Sequence, residues 1–209
     1  MNDSTRLRMG LLWAGLVVVL LSIGLALVRQ RSGGSPALPV YGQVSDFTLT
    51  NQAGQPFGLA NLRGQVWVAD IIFTRCPGPC PRMSAQMKEL QAALPADAPV
   101  KLISLTSDPE FDIVPVLKGY AERFGADSNR WMFLTGPNPV IRDLAVNGLK
   151  LVLLDKPAAD RTVPEDLFIH STLFIVVDKQ GRIRQSVESL EPETLQQALT
   201  AVCTLLDGR

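Results

Sequence analysis

Two cysteines lie within the run Phe73-Thr74-Arg75-Cys76-Pro77-Gly78-Pro79-Cys80-Pro81. Three residues separate them. At that spacing two thiols can close a disulfide or hold one soft metal ion between two thiolates. Thiolates select Cu(I), zinc and iron–sulfur chemistry. The prolines stiffen the loop and withdraw backbone donors from it. The chain of 209 residues has three cysteines, an odd number that argues against a disulfide-stapled scaffold, and a single histidine, His170. One histidine beside a close cysteine pair is the sparse usage expected of a dedicated site. Asp70 stands six positions before Cys76 inside an otherwise apolar run. Two readings of it stay open: a proton-transfer role toward the cysteines, or a structural or edge-facing carboxylate. Met83 and Met87 are soft thioethers near the cysteines, but their helical spacing makes them core residues. Cys203 reads as a small buried hydrophobe on a C-terminal helix.

These residues need a scaffold. Val66 to Phe73 (VWVADIIF) reads as a buried central strand that ends just before Cys76. Pro81 to Leu94 follows as a helix with Met83, Met87, Leu90 and Leu94 on one stripe. Cys76 therefore falls between a strand end and a helix start, where the helix terminus favours a thiolate. Ser45–Leu49 and Gln55–Phe57 flank Asn51-Gln52-Ala53-Gly54 as a small hairpin. Val100–Leu105, Trp131–Leu134, Thr172–Val177 and Arg182–Val187 read as further strands. Helices are expected from Val116 to Phe124, stopped by Gly125, and from Glu191 to Leu206. Another should begin at Asn138 as N-cap, with Pro139 in its first turn, and close at Gly148. The order is hairpin, β-α-β-α-β-α, a long loop over Asp155–Asp166, then β-β-α. That alternation predicts an α/β domain with a largely parallel sheet covered on both faces. Ligands of such sheets sit beyond the carboxyl ends of the strands.

The N-terminus is different in kind. Gly10 to Val28 carries no charge and is bounded by Arg6 and Arg8 before and Arg29 and Arg31 after. Its length is close to the ~20 residues that span a bilayer as a helix. Ala26-Leu27-Val28-Arg29 makes a poor signal-cleavage site, and no polar face marks a core helix. The expected organisation is a tail over 1–9, a transmembrane anchor over 10–28, a flexible tether over 29–40 and a folded domain over 41–209. Flanking basic residues balance, so the positive-inside rule does not orient the span. A short tail before a single span leaves the large domain outside. Lys+Arg and Asp+Glu are 20 each, so no basic field for nucleic acid is present.

Phe73-Thr74-x-Cys76-Pro77-x-x-Cys80-Pro81 resembles the signature of the SCO/SenC family of membrane-anchored copper chaperones. Three further segments are similar to the family's: Ser107-Asp108-Pro109-Glu110-Phe111-Asp112, Phe133-Leu134-Thr135-Gly136 and Ile169-His170-Ser171-Thr172. The resemblance covers nearly the whole chain and implies a thioredoxin-like fold. It implies copper, as Cu(I) or Cu(II), held by Cys76, Cys80 and His170. The implied partner is the copper-binding subunit of cytochrome c oxidase or another copper or thiol protein. The implied location is the bacterial plasma membrane, with the domain facing the periplasm or the exterior. Thioredoxins also carry a buried Asp at the offset of Asp70, which assists the second cysteine. The chain departs from the family at Gly78, where an acidic residue is usual, and at Phe111, Ile113 and Val114, where Arg, Thr and Pro are usual. Those departures favour the alternative, a thiol–disulfide oxidoreductase that reduces a partner's cysteines with Cys76 and Cys80 as redox pair. Two thiolates and one imidazole leave an open position, suited to a metal that is handed on, whereas closed zinc sites need four protein ligands. Asp108 and Asp112 could form a partner-facing acidic loop or cap an ordinary Asp-Pro turn. A peroxiredoxin would carry Thr where Phe73 stands, and a TlpA-like reductase would have two intervening residues.

Overall fold

Every residue of Val66–Ile72 (β4) is buried, because this strand is covered on both faces. Side chains alternate across a strand. Val66, Val68 and Ile72 accordingly enter one apolar cluster, and Trp67, Ala69 and Ile71 enter another on the opposite face. The computed structural model that shows this describes Trp13, residues 16–24 and residues 37–208. Ala37–Gly208 forms one compact unit.

The other strands are Gly42–Gln43 (β1), Thr48–Asn51 (β2), Pro56–Gly58 (β3), Val100–Thr106 (β5), Trp131–Thr135 (β6), Leu153–Asp155 (β7), Phe168–His170 (β8), Leu173–Val177 (β9) and Arg182–Glu188 (β10). Seven of them join β4 in one eight-stranded sheet in the order β1-β10-β9-β4-β5-β6-β2-β3, and β7 pairs with β8 alone. The helices are Leu59–Leu62 (α1), Cys80–Ala93 (α2), Val114–Phe124 (α3), Asn138–Asp143 (α4), which runs into a π-helical turn over Leu144–Gly148, and Thr194–Leu206 (α5). Residues of α2, α3 and α5 cover the Val68 face, and residues of α1 and α4 cover the Trp67 face. This is the expected α/β, thioredoxin-like layering, with its N-terminal hairpin β2–β3 paired antiparallel.

The expectation of a largely parallel sheet needs correction. Only β4–β5 and β5–β6 pair parallel, because only these neighbours are joined by crossover helices, α2 and α3. The pairs β9–β4, β10–β9, β1–β10, β2–β6 and β2–β3 are antiparallel. The turn from β9 to β10 is too short for anything else. Its Gly181 stands at φ 81°, a left-handed conformation that favours glycine. Gly125 at φ 67° stops α3 as expected.

Three local expectations also change. Asn138 is the first helical residue of α4 rather than its cap, and its side chain accepts a 2.9 Å hydrogen bond from Arg142 Nε. Cys203 is exposed. Its neighbours Ala201, Val202 and Leu205 are buried, and the ~100° rotation from 202 to 203 carries the thiol off the core face. The Asp155–Asp166 stretch begins in β7 and leads into β8, so the expected loop is the tip of a hairpin. Strands of three residues are too short to show a period.

The expected anchor falls mostly outside the described residues. Trp13 and residues 16–24 are helical and exposed. No helix among the described residues is long and apolar enough to cross a membrane.

At the other edge the chain enters the sheet through an ion-paired clamp. Arg184, only 6% exposed, meets Asp178 at 2.8 Å. Its Nε also donates to the carbonyls of Leu38 and Pro39, at 3.1 Å each. The last residues of the expected tether are therefore fixed to β10.

Candidate metal centre

Each of the three candidate ligands is delivered by a different element. Phe73 follows β4 as a buried residue, and its carbonyl accepts the Cys76 N–H at 3.2 Å. Cys76 thus caps a tight turn at the carboxyl end of the central strand, half-buried. Cys80 is the first residue of α2, with Pro79 at the cap position, and is fully buried. Pro79 at the cap and Pro81 one residue after Cys80 are suited to their places because the first turn of a helix leaves its N–H groups unbonded. His170 ends β8, where it pairs across the hairpin with Leu153. Its ring stands edge-on to Phe73, with centroids 5.9 Å apart.

The donor atoms of Cys76, Cys80 and His170 all lie within 4.8 Å of one another. His170 Nε2 is 3.3 Å from Cys80 Sγ, and Nδ1 is 3.1 Å from the Ser171 carbonyl. A carbonyl can only accept, so the ring proton is assigned to Nδ1. Nε2 then turns its lone pair toward Cys80. Metal-binding histidines typically hold their second nitrogen in this way. Both cysteines are free thiols. Three soft or borderline donors with no fourth protein ligand in the group leave room for a metal that enters and leaves.

The two thiols differ sharply. A hydrogen bond from Cys80 holds the Cys76 thiol well below the usual thiol range, outweighing its partial burial, and His170 and the Gly78 N–H add to this. Burial pushes Cys80 the other way, and the neighbouring Cys76 reinforces the effect. Cys76, the more accessible sulfur, is thus the more acidic thiol of the pair. Gly78 N–H lies 3.4 Å from Cys76 Sγ. A Cβ added at Gly78 would meet only that sulfur, at 4.0 Å, so an acidic residue there is sterically admitted.

Asp70 shares the Val68–Ile72 face of β4 with α2 above it. It is completely buried, and neither carboxylate oxygen has a hydrogen-bond partner. Burial raises it from 3.8 to about 7, with smaller opposing pulls from Ser104 and His170. The edge-facing reading is excluded, since β4 is flanked by β9 and β5. Asp70 makes no hydrogen bond to the three ligands, but it acts on Cys80 through its charge. Met83 and Met87 are fully buried core residues.

Asp108 and Asp112 are both buried, so they do not face a partner. They turn inward onto Thr74 and Arg75. Sequence reasoning missed that contact, although an Asp-rich loop after the strand neighbouring β4 was the available signal.

A thioredoxin-like sheet that holds a reduced cysteine pair against an imidazole defines a dithiol protein able to bind a soft metal. The SCO1/SenC family matches residues 39–204, and the chain belongs to this family. A SCO1 protein homologue from Bacillus subtilis is 36% identical over 155 residues, 73% of this chain and 77% of its own. The solved structure of BsSco, a Sco-family cytochrome c oxidase assembly protein in which a disulfide switch was identified, is 30% identical. Its TM-score is 0.70, over 83% of this chain and 99% of its own. Copper-bound ScoI of Bradyrhizobium japonicum shares the fold at a TM-score of 0.65 and 22% identity, over 78% of this chain and 99% of its own.

Proposed function

We propose that this chain is a membrane-anchored copper metallochaperone that serves assembly of the copper centre of cytochrome c oxidase. The observation that carries this is the convergence of Cys76, Cys80 and His170 within 4.8 Å, with Nε2 turned to the sulfur. Family membership supports it, as do the relatives described as copper-bound and as oxidase assembly proteins. Copper is cargo here: the two thiolates supply the soft donors, and the imidazole adds a borderline one. Binding requires the Cys80 proton to leave. His170 cannot keep that proton and also ligate through Nε2. Asp70, buried, unpartnered and raised to about 7, is the remaining acceptor on that face.

A second reading rests on the asymmetry of the thiols. The Cys76 thiolate attacks a partner disulfide and forms a mixed disulfide, releasing one partner thiolate. Cys80, once deprotonated, attacks the Cys76 sulfur, closes the Cys76–Cys80 disulfide and releases the second partner thiolate. Two electrons pass from the pair to the partner, and Asp70 is the positioned group for the Cys80 proton.

Titrating the reduced domain with Cu(I) against a competing chelator tests the first reading. Wild type should take up one ion, and the Cys76→Ser/Cys80→Ser protein should take up none that withstands the chelator. Equal uptake by the two proteins would refute a copper role. A wild type that binds no copper yet reduces a peptide disulfide would leave the oxidoreductase reading standing.

The uncharged Gly10–Val28 segment supports placing the chain in the bacterial plasma membrane, with the domain facing the periplasm or the exterior. The full chain should resist carbonate extraction, and external protease should reach its domain in intact spheroplasts. Recovery of a soluble mature protein beginning after residue 28 would overturn that placement.

A further inference from the structure

We infer that the loop Asp108–Asp112 is a positioning bracket for Cys76, and that Phe111 and Arg75 are part of it. The inference rests on the proposed use of Cys76 as ligand or thiol, and it concerns what holds that sulfur in place. Asp112, with no exposed surface, accepts from the Thr74 N–H at 3.1 Å and the Thr74 hydroxyl at 2.5 Å. It also accepts from the Thr106 hydroxyl at 2.5 Å. Asp108 accepts from Arg75 Nε at 2.8 Å. The Arg75 guanidinium lies 4.4 Å over the Phe111 ring. The two residues immediately before Cys76 are therefore each fixed by a different aspartate, and one is also stacked on an aromatic ring.

The loop is itself rigid. Phe111 N–H and Asp112 N–H both donate to the Asp108 carbonyl, at 3.1 and 2.8 Å. Asp108 N–H donates to Thr106 Oγ1 at 3.0 Å, and Ser107 N–H donates to the Ile72 carbonyl at 2.8 Å. The bracket thereby ties the Cys76 turn to the ends of β4 and β5. Among the described residues, no hydrogen bond or ion pair runs from it to Cys80 or His170, which hang from α2 and β8. Cys76 is otherwise held by its own turn, by the loose Gly78 contact and by its packing against the core beside Cys80 and His170. An unbraced Cys76 turn would visit more conformations, and each event that needs Cys76 beside Cys80 would lose part of its preorganisation.

Phe111 makes the test clean. It is 45% exposed, it lies outside the buried core clusters, and its ring contact is with Arg75 rather than with a candidate ligand. Losing an exposed cation–π contact should weaken a coupled equilibrium by about threefold. Replacing the Asp112 carboxylate by an amide, which offers one acceptor to three donors, should weaken it by about tenfold or more.

The decisive measurement is the equilibrium of the full chain with dithiothreitol. Oxidised dithiothreitol accepts the two electrons and two protons released when Cys76 and Cys80 close their disulfide. Phe111→Ala should shift that equilibrium about threefold toward the protein dithiol. Phe111→Tyr, which keeps the ring, should restore the wild-type constant. Asp112→Asn should shift it further in the same direction, and Cu(I) affinity should fall in the same rank order. A purely structural role for Phe111 would lower the unfolding midpoint without moving the disulfide constant. The inference is overturned if Phe111→Ala and Asp112→Asn match wild type in the dithiothreitol equilibrium, or if Phe111→Tyr fails to restore it. Because that equilibrium needs only the cysteine pair, a wild type that binds no copper would refute the chaperone reading and leave this test intact.

Discussion

His170→Ala is expected to weaken Cu(II) binding by about 100-fold or more while leaving Cu(I) binding within about tenfold of wild type. Loss of a partner that merely orients a ligand already costs 10–100-fold in metal affinity, so loss of a direct ligand should cost no less. The two oxidation states differ because of the donors that remain. Cu(I) is soft and is satisfied by two thiolates, whereas Cu(II) favours nitrogen and oxygen donors in a tetragonal field. His170 supplies the only nitrogen in the cluster. The ring is half-buried against Phe73, so its removal should leave the fold intact. The Cys76–Cys80 disulfide should still form. Separate titrations with each ion, following the sulfur-to-copper charge-transfer band for Cu(II), give the comparison. Parallel losses for both ions would show that His170 acts on the thiols rather than on the metal.

The second large effect belongs to Asp70. Its folded value of about 7 lies above its ordinary 3.8, which corresponds to about 4 kcal/mol at 1.36 kcal/mol per pH unit. The sign follows from proton binding. Between pH 4 and 7 the unfolded chain has released this proton while the folded chain retains it, so rising pH favours unfolding through that window. Above pH 7 the cost is complete. Asp70→Asn removes the charge at nearly constant volume. It should stabilise the domain by up to about 4 kcal/mol at pH 8 and by little at pH 4. Urea unfolding at the two pH values measures the difference, and other carboxylates cancel between wild type and variant. An equal gain at both pH values would mean that Asp70 is not the group being titrated.

Much of this architecture was legible in the chain. The run VWVADIIF is apolar at nearly every position, which only a strand covered on both faces can sustain. Its end next to Cys76 placed the thiols at the sheet's carboxyl edge. Met83, Met87 and Leu90 fell at helical intervals and did prove to be core. The antiparallel half of the sheet was less visible, because pairing direction depends on which strands become neighbours, and periodicity carries no such information. The β7–β8 hairpin was hidden by its brevity. At the site, the cysteine pair was readable from spacing. Its union with His170 came from the resemblance to a family and from the position of the histidine before a strand. The inward turn of Asp108 and Asp112 could not be read locally. Their partners Thr74 and Arg75 are more than thirty residues away, and Asp-Pro alone fits a turn equally well. Phe111 looked like a simple departure from a family pattern until Arg75 was found over its ring.

The Arg184 clamp fixes where the chain meets the sheet. Gly42 pairs with Ile183, Ile183 with Val177, and Val177 with Trp67. The chain thus joins the sheet level with the start of β4, and the cysteines lie beyond its far end. Five residue steps from Trp67 to Ile72 place them roughly 17 Å further along. β1 is antiparallel to β10, β10 to β9 and β9 to β4, so β1 runs opposite to β4 and the chain approaches Gly42 from the side of the cysteines. The length of the segment before Leu38 would then set the effective concentration at which the thiols meet a partner fixed to the same support, as in any tethered pair.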